Sequence, residues 1–319
     1  MPGARSERLA LTYDNTALTD GIGAQLHRIY AIYSLSRLLG VSYVHTPIGH
    51  VDNQGLRAMQ HNARDAAFEA EFNALCQIPS DPLPGQRFRV VKLRNISADI
   101  FLQLVVAANA PGAGELPLLA QILLPFGITD RFPDGYEICK QISPFKRGRE
   151  RRLRVALHVR RGELLVHYSD RMLPNSYYIS VARKVARVLD ALNVDYCIEL
   201  HTEVVEGDFT VAPGQLGASS PTTITAAMSR LDEFSVLPNL VHCLNERTAD
   251  CLRKLATADV LVLSRSSFSY VAAILNRGGV VLHHPFWHPP LSSWLVVDPE
   301  QRFDEARLRQ GVEAVLAGR

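Results

Sequence analysis

The apolar run Leu153-Arg154-Val155-Ala156-Leu157 ends in His158-Val159-Arg160-Arg161-Gly162-Glu163. A strand that breaks into two adjacent arginines and a glycine sets fixed positive charge beside free backbone N–H groups, which is what a diphosphate requires of its site. His158 and Arg160 are two residues apart and so share one face of that strand. His158 is therefore read as a ligand contact, against the alternative of a hydrogen-bonded core histidine. Taken alone, Arg-Arg-Gly reads first as a strand followed by a solvated turn, and other segments have to decide between the two.

Two other segments bear on that choice. The first, Asp20-Gly21-Ile22-Gly23-Ala24-Gln25-Leu26-His27-Arg28, opens a long helical pattern. Its glycines let a backbone approach a ligand closely, and the helix N-terminus beyond them favours anionic groups. A dinucleotide fingerprint needs a third glycine where Leu26 stands, so this is either a ligand loop of another kind or a plain glycine-rich helix start. The second runs from Ala258 to Tyr270, a buried strand entering Ser264-Arg265-Ser266-Ser267-Phe268-Ser269. Ser266 and Ser267 can cap the following helix, and with the adjacent N–H groups they can also hold a phosphate or a sugar hydroxyl.

The elements that must position these residues are legible as alternating patterns. Residues 9–13 read as a strand, 22–39 as a helix ended by Gly40, and 41–45 as a second strand. A short helix around 65–75, a strand at 88–93 and helices at 98–108 and 116–124 complete the first half. After it come strands at 153–159, 196–200, 240–243, 260–263 and 280–283, with helices at 175–192, 222–234, 248–256, 268–277 and 301–316. This alternation predicts an α/β fold, with parallel strands covered by helices on both faces.

Composition narrows the function classes. A chain of 319 residues accommodates two ordinary domains, and 47% apolar with 21% charged residues leaves no room for a long disordered segment. A net charge of +2 argues against nucleic acid as the main partner. The five cysteines, Cys76, Cys139, Cys197, Cys243 and Cys251, are odd in number and form no Cys-x-x-Cys pair, so they read as reduced residues of a cytoplasmic protein. The first eight residues lack the apolar stretch of a secretory signal, and the most apolar region, 100–126, is broken by Pro111, Gly112, Gly114 and Pro117.

Between the halves, residues 143–154 carry Lys146, Arg147, Arg149, Arg151, Arg152 and Arg154 against Glu150 alone. This is the expected linker. A basic run of this kind can also hold a protein at the inner face of an anionic membrane, each basic residue near the surface contributing about 1 kcal/mol. His283, His284 and His288 stand among Pro285, Pro289 and Pro290 and read as a rigid loop rather than a metal site. No Asp-x-Asp pair occurs, so a metal-bridged diphosphate is not expected.

Together these residues resemble the fucosyltransferase superfamily that uses GDP-fucose, comprising the α-1,2-fucosyltransferases, the α-1,6-fucosyltransferases and the protein O-fucosyltransferases. Gly21, Gly23, Gln25 and Leu26 match its Gly-x-Gly-x-Gln-(Leu/Met) loop, and His27 resembles the α-1,6 branch. His158, Arg160, Arg161 and Gly162 match its His-x-Arg-Arg-Gly-Asp motif, and Ser266 to Ser269 match the late Ser-Ser-Phe-Ser motif of the α-1,2 branch. The resemblance covers three motifs in order and leaves the sequence between them unmatched.

The resemblance implies a GT-B-like pair of Rossmann-type domains facing a cleft, with residues 1–145 on the acceptor side and 146–319 binding the GDP-sugar. It implies that Arg160 binds the β-phosphate and stabilises the departing GDP, that His158 contacts the nucleotide, and that Ser266, Ser267 and Phe268 line the pocket. Gly21, Gly23, Gln25, His27 and Arg161 join the donor-binding set, and Asp250 lies within one position of a guanine-binding aspartate of the α-1,6 branch. Glu163 replaces the motif's aspartate, which puts its role in doubt. Asp170 and His167, in the loop that follows, are the other candidates to activate the acceptor.

The implied reaction is metal-independent transfer of fucose, with inversion, to a hydroxyl of a glycan or glycolipid such as a bacterial surface polysaccharide. Three alternatives stand beside it: another GDP-linked sugar as donor, a GDP-sugar or glycan-binding protein without catalysis, and an anion-binding protein built on the basic run.

Overall fold

The computed structural model describes residues 6–16, 20–52, 54–55, 58, 65–82, 87–110, 116–148, 150–165, 171–213, 220–225, 228 and 230–319. The chain divides into two compact units, the first of residues 1–52 with 67–144 and the second of residues 53–66 with 145–319.

The first unit runs β1 (Ser6–Tyr13), α1 (Ile22–Leu39), β2 (Val41–Tyr43), α2 (Phe68–Leu75), β3 (Arg89–Asn95), α3 (Ala98–Asn109), β4 (Leu118–Leu124), α4 (Phe126–Thr129) and α5 (Glu137–Ile142). Its strands pair in parallel in the order β2-β1-β4-β3. Helix α1 stops where Gly40 takes a left-handed φ of 65° and turns its N–H back to Arg37 and Ser36. The helix expected over 116–124 is instead strand β4, hydrogen-bonded to β1 on one side and β3 on the other. Leu-Leu-Ala-Gln-Ile-Leu-Leu has no polar face with which to tell a helix from a strand buried on both sides, and Pro117 and Pro125 confine it to strand length.

The second unit runs β5 (Leu153–His158), α6 (Asn175–Ala191), β6 (Tyr196–Thr202), β7 (Phe209–Val211), β8 (Thr222–Ile224), β9 (Leu240–Leu244), α7 (Thr248–Ala256), β10 (Val260–Val262), α8 (Ser267–Leu275), β11 (Val280–His283), β12 (Leu295–Val296) and α9 (Glu305–Ala317). The expected helix over 222–234 is corrected to β8 followed by a 3-10 turn at Asp232–Val236. The β-branched Thr222-Thr223-Ile224 pairs antiparallel with β7, and Ile224 buries against Val205 and Val211 in a small cluster of its own.

The main sheet of this unit is parallel, in the order β12-β11-β10-β5-β6-β9. Counted along the unit, that is sixth, fifth, fourth, first, second, third, the doubly wound Rossmann order. The order reverses between β5 and β10. The two sheet faces differ in chemistry because side chains alternate along a strand. Leu153, Val155 and Leu157 of β5, with Val159 just beyond it, pack with Tyr196, Ile198 and Leu200 of β6 into the core under α6 and α9. The opposite face carries Arg154 and His158 beside Glu199 and His201, and Arg154 reaches the carbonyl of Lys254 on α7.

The basic segment leading into β5 is in part paired with carboxylates. Arg147 faces Asp259, Arg152 pairs with Asp195, and Arg154 binds Glu199, all within the second unit, while Arg149 lies outside the described residues. No helix among the described residues is long and apolar enough to cross a membrane, and the five cysteines form no disulfide.

Candidate functional site

The carboxyl ends of β5 and β10 flank the point where strand order reverses, the place where an open α/β sheet leaves a crevice for a ligand. Beyond β5 the chain passes through His158, Arg160 and Arg161, and beyond β10 through Ser264, Arg265 and Ser266 into α8. The two segments touch. The His158 and Phe268 rings lie 5.7 Å apart, and Arg160 donates from Nη1 to the Arg265 carbonyl at 3.2 Å. Tyr178 on α6 steadies the second segment by donating to Ser264 at 2.9 Å.

His158 is buried, and its Nδ1 finds no hydrogen-bond partner among the described residues. Burial, with the nearby charges of Arg160 and His201, pushes its pKa down to about 3, so at neutral pH the ring is uncharged. A neutral ring with an unsatisfied buried nitrogen is a group that a ligand hydroxyl or amide can complete.

The adjacent arginines divide their work. Arg161 is buried and donates to the carbonyls of Arg160 at 2.9 Å and Leu173 at 3.3 Å and to the Asn175 side chain, fastening the loop to the start of α6. These donors of Arg161 are thus directed at the protein's own backbone and the Asn175 side chain. Gly162 is required by geometry. It takes a φ of 42°, and a Cβ there would come within 2.6 Å of the Glu203 carboxylate at the end of β6. The side chain of Glu163, and the whole of His167 and Asp170, lie outside the described residues.

On α8, Ser266 is the N-cap and accepts from the Phe268 N–H at 3.2 Å. The Ser267 hydroxyl meets His288 Nε2 at 3.2 Å, and Arg265 meets His284 Nε2 at 3.0 Å. With His283 Nε2 on the His288 carbonyl at 3.1 Å, these three histidines support the loop that backs the α8 start.

The glycine motif belongs to the other unit. Gly21 caps α1, and Gly23 is buried within it. Gln25 is fully buried and donates to the Asp20 carbonyl at 2.9 Å and the His50 carbonyl at 2.6 Å, while Arg28 pairs with Asp20. His27 is a core residue, hydrogen-bonded to Tyr136 at 3.0 Å and packed on Phe126 at 4.8 Å between ring centroids. The His27 ring is thus packed within the first unit, and Gln25 closes the loop on itself.

Asp250, on α7, pairs with Arg253 at 2.5 Å and lines a surface cavity of about 380 Å³ with Glu246, Arg247, Arg253 and Lys254. Next to this cavity is a buried charge network not anticipated from sequence. His201 meets Glu246 through Nδ1 at 3.0 Å and Glu199 through Nε2 at 3.3 Å. Arg154 holds Glu199 through two hydrogen bonds at 3.0 and 2.7 Å, and Lys254 holds Glu246. Burial opposes charge on His201, but hydrogen bonds to Cys251, Glu199 and Glu246 outweigh it and raise the pKa to about 11. Burial likewise opposes charge on Glu199, and His201 and Arg154 together bring it down to about 2.

No protein-family model matches the chain, and no curated protein matches it. Among solved structures it is similar to the E. coli ADP-heptose lps heptosyltransferase II, with 11% identity, 98% of this chain and 99% of that one covered, and a TM-score of 0.39. It is similar also to the E. coli heptosyltransferase WaaC with ADP-2-deoxy-2-fluoro heptose, at 11% identity over 97% and 99% of the two chains and a TM-score of 0.38. Both likenesses are slight, and the chemistry of the site is read from this chain's own residues.

Sequence reasoning singled out neither Arg265 nor Glu203. Arg265 sits inside the quoted serine-rich motif, but the partner of its side chain, His284, follows β11 and depends on β10 and β11 being neighbours. Glu203 becomes meaningful only once β6 lies beside β5.

Proposed function

We propose that the protein is an inverting glycosyltransferase whose second unit binds a nucleoside diphosphate sugar. The donor is GDP-fucose and the acceptor a hydroxyl of a glycan or glycolipid. The observation that carries this reading is the contact of Arg160 with the loop entering α8 across the reversal point of a doubly wound sheet. GDP and fucose themselves are supported by the three motifs of the sequence.

In the reaction the acceptor oxygen forms a bond to the anomeric carbon, the bond from that carbon to the diphosphate oxygen breaks, and negative charge grows on the leaving GDP. Arg160 is assigned to that charge, together with N–H groups in the first turn of α8, because stabilising developing charge is usually the largest catalytic contribution. His158, uncharged, is assigned a hydrogen bond to the nucleotide. Phe268 and Ser267 line the pocket, and the guanine is assigned to the side of Asp250. Glu163 or Asp170 takes the acceptor's proton, an assignment supported by the resemblance alone. With no Asp-x-Asp pair in the chain, the transfer step is assigned no metal. Contact with an anionic membrane, if made by the segment before β5, falls to Lys146 and Arg151, since Arg147, Arg152 and Arg154 face carboxylates.

Glu163 in place of aspartate favours one second reading, a GDP-sugar binder without turnover. Release of GDP from GDP-fucose, with glycan acceptor or water, separates the two. Turnover that disappears in Arg160→Ala supports the enzyme, and tight GDP binding without turnover on any acceptor supports the binder.

A further inference from the structure

We propose that His201, Glu246 and Cys251 form a binding site for a thiophilic divalent cation, zinc(II) foremost. One ligand atom from each of the three lies within 4.8 Å of the other two, with His201 Nδ1 and the Glu246 oxygen 3.0 Å apart. Ligand atoms around a tetrahedral zinc, with bonds of about 2.0–2.3 Å, stand roughly 3.3–3.8 Å from one another, so side-chain shifts on the order of 1 Å complete the geometry. Thiolate, imidazole and carboxylate together select zinc or cobalt over magnesium or calcium.

The surroundings are those of a supported ligand set. His201 presents Nδ1 to the group while its other nitrogen faces Glu199 at 3.3 Å, the carboxylate–histidine arrangement that fixes a metal-binding ring. Arg154 in turn fixes Glu199 with two hydrogen bonds. Lys254 takes the Glu246 oxygen that His201 does not, leaving the carboxylate oriented by both. Glu246 also lines the surface cavity with Arg247, Asp250, Arg253 and Lys254, which opens that edge of the group to solvent. Loading displaces one proton from Nδ1 and one from the Cys251 thiol, so two positive charges replace two and the neighbouring ion pairs keep their balance.

Cobalt(II) is the probe, titrated into the full-length, metal-free protein with no nucleotide present, so that the outcome is independent of any GDP binding. The expected result is thiolate-to-cobalt charge-transfer absorption saturating at one equivalent and abolished by competing zinc(II). Cys251→Ser should remove that band while circular dichroism stays unchanged, and Cys243→Ser should retain it. Glu199→Gln should weaken binding by about 10- to 100-fold. Absence of the band at saturating cobalt(II) in the unaltered protein, or its survival in Cys251→Ser, would overturn the proposal and leave the cluster an ion-pair network only.

Discussion

Arg161 donates from Nη1 to the carbonyl of Arg160 at 2.9 Å, so one arginine of the adjacent pair holds the backbone of the other. Position in the fold separates two residues that composition treats alike. Arg161 is buried against Leu173 and Asn175, and Arg160 extends to the loop that enters α8.

That division predicts opposite phenotypes. Arg161→Ala strands buried carbonyls and should cost about 1–3 kcal/mol of stability. Arg160→Ala should leave the denaturation midpoint close to that of the unaltered protein. It should weaken GDP binding by roughly ten- to a hundred-fold, the equivalent of one charge-assisted hydrogen bond of about 1.5–3 kcal/mol. Urea unfolding and nucleotide titration of both variants check this, and equal loss of stability in the two would contradict it.

Gly162→Ala should destabilise by about 1–3 kcal/mol, because a φ of 42° is unfavourable for alanine and its Cβ meets the Glu203 carboxylate. In a Glu203→Ala background the steric part disappears and the backbone part remains. A double-mutant cycle by chemical denaturation should therefore show a smaller penalty for the second pairing, and strict additivity would show that Glu203 does not press on this turn.

Asp259 is buried at the start of β10, where it accepts from the Arg154 N–H at 2.8 Å and pairs with Arg147 and Arg319. Asp259→Ala should cost about 3–5 kcal/mol, since it leaves two guanidinium groups and a backbone donor without their carboxylate. Asp259→Asn keeps an oxygen for the N–H and should cost less, and thermal unfolding of the two ranks them.

Acid should erode stability through the histidines at the end of β11 and just beyond it. Burial pulls His283 and His284 from 6.5 down to about 4, with the Arg265 charge adding to the effect at His284. Between those values the unfolded chain binds protons that the folded chain refuses, so this contribution is complete above about pH 6.5 and is lost as pH falls toward about 4. Melting temperature measured across that window should decline, and His283→Gln should flatten the decline. An unaltered slope in the variant would place the acid sensitivity elsewhere.

The alternation of strands and helices in the second half was legible where a short apolar strand precedes an amphipathic helix, as Leu153 to His158 precedes Asn175 to Ala191 and Leu240 to Leu244 precedes Thr248 to Ala256. Two segments were misread for one reason. Leu118 to Leu124 is apolar on both faces and Thr222 to Val236 is short and mixed, so periodicity gives no answer where tertiary pairing decides. The meeting of His158 with Phe268 followed from motif order and the usual crevice of a doubly wound sheet. The roles of Arg161, His27 and Gln25 were not legible, because a polar residue held inside its own unit and one held toward a ligand have the same letters. The His201 cluster draws on β6, the end of β9 and α7, and no local spacing signals it.

The central prediction is recognition of a guanosine diphosphate at the carboxyl ends of β5 and β10. The direct measurement is thermal stabilisation of the protein by GDP, UDP, ADP and CDP, run in parallel with Arg160→Ala. Selective stabilisation by GDP that is lost in Arg160→Ala is the predicted result. Stabilisation by UDP in preference to GDP, or a GDP effect that Arg160→Ala leaves intact, would contradict it.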